Sequence, residues 1–159
     1  MDAFKLNDLI DEDLIFMDME AKDSDSLLRR LSEAAQEKGY VRKGYADAVL
    51  EREQQYPTAL PTEILRVAIP HATDRDQVIR SVIVVAMLKE PVLFKEMGDG
   101  VREIPVDAVF MLAVCGSKEQ LTVLQKIVGM FSDREVMTAV KNVGNKAELI
   151  GVLKENLAG

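Results

Sequence analysis

Val82-Ile-Val-Val-Ala-Met-Leu88 and Ala108-Val-Phe-Met-Leu-Ala-Val-Cys115 are the two stretches that decide the fold. Both are continuous apolar runs. Strands covered on both faces by helices read this way, whereas strands with one wet face alternate. Between them, Glu90-Pro-Val-Leu-Phe-Lys-Glu-Met-Gly-Asp-Gly100 carries a turn signal in Gly98-Asp99-Gly100. Upstream, Leu65 to Ile69 alternates loosely, and Leu14 to Met19 is apolar enough for a first strand.

Helical periodicity surrounds these runs. Ser24 to Lys38 places Leu27, Leu28, Leu31, Ala34 and Ala35 on one face, with Gly39 positioned to end the helix. A second helix is expected from about Lys43 to Gln54, with Tyr45, Ala48 and Val49 inward. Pro57 and Pro61 break Tyr56-Pro-Thr-Ala-Leu-Pro-Thr62 into a loop. Ser117-Lys-Glu-Gln120 has the form of a capping box, opening a helix with Leu121, Leu124, Val128 and Phe131 on one face. Ser132-Asp-Arg-Glu135 repeats that signature ahead of Val136, Ala139, Val140 and Val143. Asn145 is placed to cap a last helix carrying Leu149, Val152, Leu153 and Leu157. The expectation is an α/β fold, a mixed central β-sheet sandwiched by helices, forming one domain over residues 1–159 with its core at about 9–158. Strand order is not legible in these patterns.

Composition narrows the function classes. A net charge of −7 with both signs interspersed argues against a nucleic-acid binder, which needs a basic face to neutralise phosphates. No apolar run approaches the roughly 18–20 residues that span a bilayer, so no direct membrane insertion is expected. Met1-Asp-Ala-Phe-Lys-Leu-Asn-Asp8 lacks the basic start and apolar stretch of a signal peptide. One cysteine, Cys115, cannot form an internal disulfide. That suits a reducing compartment, and a cytoplasmic location is expected.

The chemistry-bearing stretch is Arg66-Val-Ala-Ile-Pro-His-Ala-Thr73. It reads as a short strand that stops at Pro70 and delivers His71, the only histidine in the chain, into a loop. A neutral imidazole nitrogen is a good nucleophile near physiological pH. The competing reading is a structural histidine whose ring bonds a nearby carbonyl. One histidine and one cysteine do not make a zinc site, so no metal is implied.

Arg52 follows the inward positions Ala48 and Val49 by four and three residues, so it must be paired or reach a cleft. A guanidinium suits a phosphoryl group, and pairing with Glu51 or Glu53 is the alternative. Thr58 offers a hydroxyl and an N–H in a constrained loop, with ordinary turn chemistry as its alternative. Gln120 holds the fourth place of the capping box and so has a competing role in closing the helix. Cys115 ends an apolar strand without a basic neighbour and reads as packing. No Walker loop, dinucleotide glycine pattern or nucleophile elbow is present.

Glu51-Arg52-Glu53, Tyr56-Pro57-Thr58, Val67-Ala68-Ile69-Pro70-His71 and Pro91-Val92-Leu93-Phe94 with Met97-Gly98 together resemble a known family. It is the fructose/mannitol-type (type 2) enzyme IIA of the phosphoenolpyruvate-dependent sugar phosphotransferase system (PTS). Order and spacing hold from roughly Leu9 to the C-terminus. The resemblance implies that His71 is transiently phosphorylated through Nε2, with its other nitrogen held by a backbone carbonyl. Phosphoryl would come from the carrier HPr, pass to a cysteine of enzyme IIB, and reach a sugar imported by the membrane enzyme IIC. Arg52 matches the family's arginine beside that histidine, and Thr58 the loop residue facing the phosphoryl group. No cofactor is implied. Ala72, Ala59, Leu60 and Phe94 are expected to supply an apolar rim around His71.

One departure stands out. Mannitol and fructose members carry a second histidine where this chain has Gln120. Galactitol-type members similarly have Gln there, and their Phe-Pro-Thr loop looks like Tyr56-Pro57-Thr58. Ala72 in place of a glycine after His71 leans the same way. A galactitol-like phosphocarrier is therefore the expectation. The rival readings are a regulatory, nitrogen-type enzyme IIA, a non-catalytic interaction module and, weakest, a hydrolase using His71 with Asp74.

Overall fold

The computed structural model describes residues 6–73 and 75–157. Asp74, the first five residues and the last two, Ala158 and Gly159, lie outside that set. Among the described residues, strand β1 (Ile10–Met19) is followed by helices α1 (Ser24–Glu37) and α2 (Tyr45–Gln55). Two short strands, β2 (Ala59–Leu60) and β3 (Val67–Ala68), precede the long hairpin of β4 (Val82–Lys95) and β5 (Glu103–Ala113). Helices α3 (Ser117–Phe131), α4 (Arg134–Asn142) and α5 (Lys146–Leu157) complete the chain. The sheet order is β1-β4-β5-β3-β2. β1 runs parallel to β4 and β3 parallel to β5, while β4/β5 and β2/β3 are antiparallel. The sheet is mixed, as expected.

The apolar runs are continuous because both sheet faces are covered. Val82, Val84 and Ala86 of β4 share one core with Leu27, Leu28 and Leu31 of α1 and Tyr45 and Val49 of α2. The intervening Ile83 and Val85 share the opposite core with Val123 and Ile127 of α3 and Leu149 and Leu153 of α5. The hydroxyl of wholly buried Tyr45 donates to the Leu112 carbonyl at 2.9 Å, tying α2 to β5. Burial raises the Tyr45 pKa above its ordinary value, so that hydroxyl stays protonated.

Helix α1 starts at the Asp23 cap, whose carboxylate accepts from Ser26 N–H at 2.8 Å. It stops where Gly39 turns left-handed at φ +83. No heavy atom lies within 4 Å of where a Cβ would sit on Gly39. Gly39→Ala is therefore expected to cost only the left-handed strain, about 1–2 kcal/mol in urea unfolding, with an unchanged m-value.

The C-terminal helices depart from expectation in register. The N-cap of α3 is Gly116 in extended backbone, so Ser117 is already helical and makes no capping bond. The Glu119 carboxylate folds over Gly116, where an added Cβ would meet it at 2.3 Å. Ser117-x-x-Gln120 is thus not the capping box. The buried stripe of α3 is Val123, Ile127, Met130 and Phe131. Leu121 is 56% exposed and Val128 is also exposed. Two apolar stripes run side by side on this helix, and periodicity alone does not say which one meets the sheet.

Similarly Asp133, not Ser132, caps α4, accepting from Glu135 and Val136 N–H. Met137 and Val140 are its buried residues, while Ala139 is exposed. Asn145 does cap α5, accepting from Glu148 N–H at 2.9 Å. Cys115 is exposed just past the end of β5 and does not pack in the core. No helix among the described residues is long and apolar enough to cross a membrane.

Candidate functional site

β3 pairs with β5 through Val67–Ala108 and Ala68–Val109, and the chain keeps following β5 beyond the strand. Leu112 N–H donates to the Pro70 carbonyl at 2.9 Å, and His71 forms a parallel bridge with Leu112. Rigid sheet therefore holds the histidine although it lies outside a regular strand. Its Nδ1 is 2.9 Å from the Ile69 carbonyl oxygen. A carbonyl only accepts, so Nδ1 carries the proton and Nε2 keeps its lone pair. The residue is 8% exposed. Burial lowers the His71 pKa, the Ile69 bond partly opposes that, and the Arg52 charge lowers it further. The ring is neutral near pH 7.

Arg52 reaches the same place from α2. Its Nη1 donates to Thr73 Oγ1 at 3.1 Å, and its Cζ lies 5.0 Å from the centroid of the Tyr56 ring. Nε is buried and makes no hydrogen bond with a described residue. Among the described residues, no ion pair joins Arg52 to Glu51 or Glu53 within 4.0 Å, although the Arg52 charge is felt at Glu53. One hollow is lined by Arg52, His71, Ala72, Thr73, Ser117, Gln120, Leu121 and Leu124. An adjoining one adds Tyr56, Pro57, Thr58, Met97 and Gly98 to Arg52 and His71. Arg52, Thr58, His71 and Gln120 are thus brought together. Ser117 opens α3 at the first hollow, and the unpaired N–H groups of a first helical turn favour an anion.

The apolar surroundings of His71 differ from the expected rim. Ala59 and Phe94 are buried in the core under α1 and α2, and Leu60 packs against the opposite core. Only Ala72 of the four lines a hollow with His71. Its neighbours are instead Leu121, Leu124 and Met97, together with Tyr56, which is 58% exposed. Periodicity places Leu121 on the core face of α3, whereas the structure turns it toward the hollow.

Glu53 was also missed. Its Oε2 accepts from Thr58 N–H at 2.9 Å and its Oε1 from the Thr58 hydroxyl at 2.8 Å. Thr58, 2% exposed, in turn accepts from Ile69 N–H on Oγ1 at 3.2 Å. Burial pushes the Glu53 pKa up to about 7, against the two Thr58 bonds and the Arg52 charge. Between about pH 4.5 and 7 the folded protein keeps a proton that the unfolded chain has lost, so this carboxyl makes stability fall as pH rises. His71 acts in the opposite sense, its lowered pKa making stability fall as pH drops through the ordinary histidine range. Glu53→Gln is expected to remove the first slope only. Its stability relative to the parent protein should rise by about 2–3 kcal/mol from pH 5 to 7.5, measured by denaturant unfolding.

Residues 8–156 match the family described as phosphoenolpyruvate-dependent sugar phosphotransferase system, EIIA 2. The chain belongs to this family. As an EIIA 2 protein it is a phosphotransferase component. It is 33% identical over 135 residues to the multiphosphoryl transfer protein of Escherichia coli O157:H7, covering 84% of this chain but only 33% of that protein. The EIIA 2 chain thus spans about a third of that relative's length. It is 29% identical over 150 residues to the mannitol-specific phosphotransferase enzyme IIA component of Halalkalibacterium halodurans, covering 92% of this chain and 95% of the relative. The crystal structure of IIA mannitol from Escherichia coli superposes with a TM-score of 0.71 at 26% identity, over 89% of this chain and 96% of that one. The Escherichia coli complex of enzyme IIAMtl with phosphorylated enzyme IIBMtl gives 0.75 at 24% identity, over 92% and 99%, a likeness of fold.

Proposed function

We propose that this EIIA 2 protein is a cytoplasmic phosphohistidine carrier, residues 1–159 acting as one domain. His71 takes phosphoryl from the phosphohistidine of HPr and passes it to a cysteine of enzyme IIB, feeding uptake through the membrane enzyme IIC. The observation that carries this reading is one hollow holding a neutral His71, with its Nε2 lone pair, beside the Arg52 guanidinium, whose buried Nε has no hydrogen-bond partner among the described residues. A family relative that is a multiphosphoryl transfer protein, and a structural neighbour in complex with phosphorylated enzyme IIB, support the two partners.

The atoms balance without a cofactor. The Nε2 lone pair forms the new N–P bond in line, and the donor's N–P bond breaks with its electron pair returning to the donor ring. The Nδ1 proton stays on His71, shared with Ile69 O, which also takes up part of the positive charge that develops. On delivery the enzyme IIB thiolate attacks phosphorus and the N–P pair returns to Nε2, so His71 leaves as neutral imidazole. Arg52 stabilises the equatorial oxygens. Gln120 donates an uncharged hydrogen bond where relatives use a histidine, so phosphate is held less tightly. The Thr58 N–H and hydroxyl are both engaged by Glu53 in this structure, which leaves the phosphoryl oxygens to Arg52 and Gln120. Leu121, Leu124, Met97 and Tyr56 would shed water when a partner docks, favouring transfer over hydrolysis. Brief exchange with two partners calls for a small interface.

For the sugar, Gln120 and Tyr56-Pro57-Thr58 favour galactitol, while the mannitol-specific relative favours mannitol. Both are hexitols, and a hexitol is the class proposed. The protein, labelled with phosphoenolpyruvate, enzyme I and HPr, should lose its phosphate when a hexitol enzyme IIB is added. A label that forms but survives every such enzyme IIB would favour the regulatory, nitrogen-type reading. Absence of any label would favour the interaction module.

A further inference from the structure

The hydrogen bonds around Thr58 run in one direction. With Glu53 ionised, the single hydroxyl proton of Thr58 goes to Glu53 Oε1 at 2.8 Å. The hydroxyl lone pair is therefore what takes Ile69 N–H at 3.2 Å. The register explains the need for it: Ala59 pairs with Ala68, so Thr58 stands opposite Ile69 just past the β2–β3 ladder and its side chain replaces a backbone bond. Ile69, held by its N–H, presents the carbonyl that takes the Nδ1 proton of His71 at 2.9 Å. Three links thus join the Glu53 carboxylate to the ring.

We propose that Glu53 is a positioning residue for His71, acting through Thr58 and Ile69 to hold the ring in the Nδ1–H tautomer with Nε2 free. The inference deepens the phosphocarrier reading and rests on it for its effect on transfer. The action is geometric. Among the described residues the charge felt at His71 is that of Arg52, and no direct bond joins Glu53 to the ring. The charged groups around Glu53 itself are Arg52, which precedes it on α2, Asp25 of α1 and Lys95 of β4. A carboxylate used only for its charge would not need both oxygens on one threonine. Removing it strands the Thr58 N–H and hydroxyl at a site 2% exposed, and the Ile69 contact loosens with them.

The test uses two pairs of variants, Glu53→Ala with Glu53→Gln and Thr58→Val with Thr58→Ser, each checked for folding by circular dichroism. His71 is the only histidine, so ring-15N histidine labelling reports its tautomer alone. The initial rate of HPr-dependent labelling is the second readout. Glu53→Ala and Thr58→Val should lose the Nδ1–H signature and slow labelling about ten- to a hundred-fold. Glu53→Gln, whose Oε1 still accepts from Thr58 N–H and whose Nε2 can donate to the second lone pair of Thr58 Oγ1, and Thr58→Ser should stay within about threefold of the parent, the rescue that separates positioning from mere packing. An unchanged tautomer and rate in folded Glu53→Ala or Thr58→Val would overturn the inference and leave the phosphocarrier reading standing. A parent protein that takes no phosphate, with the tautomer still lost in Glu53→Ala, would uphold the positioning role while the phosphocarrier reading fails. If Glu53→Ala does not fold, the Thr58 pair decides.

Discussion

Replacing His71 with alanine is expected to leave a folded protein that accepts no phosphoryl group from HPr. No second histidine exists to take over, and the amide of Gln120, in the same hollow, has no nucleophilic nitrogen lone pair. The fold should survive because the sheet position is set by backbone, through Leu112 N–H to Pro70 O and the β3–β5 pairing. His71→Gln should behave the same way. Its side chain can still donate to the Ile69 carbonyl, so loss of labelling in both variants points to the nucleophile and not to the packing. Intact mass after incubation with phosphoenolpyruvate, enzyme I and HPr reads the result, with circular dichroism confirming the fold. Phosphate retained on folded His71→Ala would move the acceptor elsewhere.

Arg52→Ala is expected to slow labelling by about 10²–10³-fold, the usual effect of removing one preorganised donor from a transferring group. The guanidinium already lies in the hollow with His71, held by Thr73 and the Tyr56 ring, and its buried Nε has no partner among the described residues. Little reorganisation is then needed to meet the phosphoryl oxygens. Arg52→Lys should recover only part of the rate, because an ammonium cannot contact two oxygens in a fork. A pH profile adds a second check. The Arg52 charge helps burial to hold the His71 pKa down, so Arg52→Ala lets the ring protonate at higher pH. The acid limb of its labelling rate should therefore move to higher pH. Loss of rate without that movement would place Arg52 away from the ring.

What was legible in the sequence and what was not has a physical pattern. The doubly buried strands β4 and β5 were readable because helices on both sides make every position apolar. The same uniformity hides strand order, since no alternation marks a neighbour. Helix ends were readable to within two residues. Gly116 and Asp133 cap where Ser117 and Ser132 were expected, because two adjacent residues in each case can do the job. That single-residue shift took Gln120 out of a capping box. The exposed stripe of α3, with Leu121, sits beside His71 for the same reason: it is the second of two apolar stripes, not the first.

In the site, His71 and Arg52 could be found because each is chemically conspicuous where it falls, one after a strand-ending proline and the other on an apolar helix face. Glu53 could not. Its importance lies in a bond to a residue five positions on, across a loop whose path the sequence does not give.

The most direct test of the account is to phosphorylate ring-15N-histidine-labelled protein with phosphoenolpyruvate, enzyme I and HPr, then record its intact mass and the ring spectrum together. One acid-labile phosphoryl group, bound at Nε2 with the proton still on Nδ1, is expected. A fully folded protein left unlabelled, beside a known enzyme IIA that is labelled in the same mixture, would contradict it, as would a phosphate bound at Nδ1.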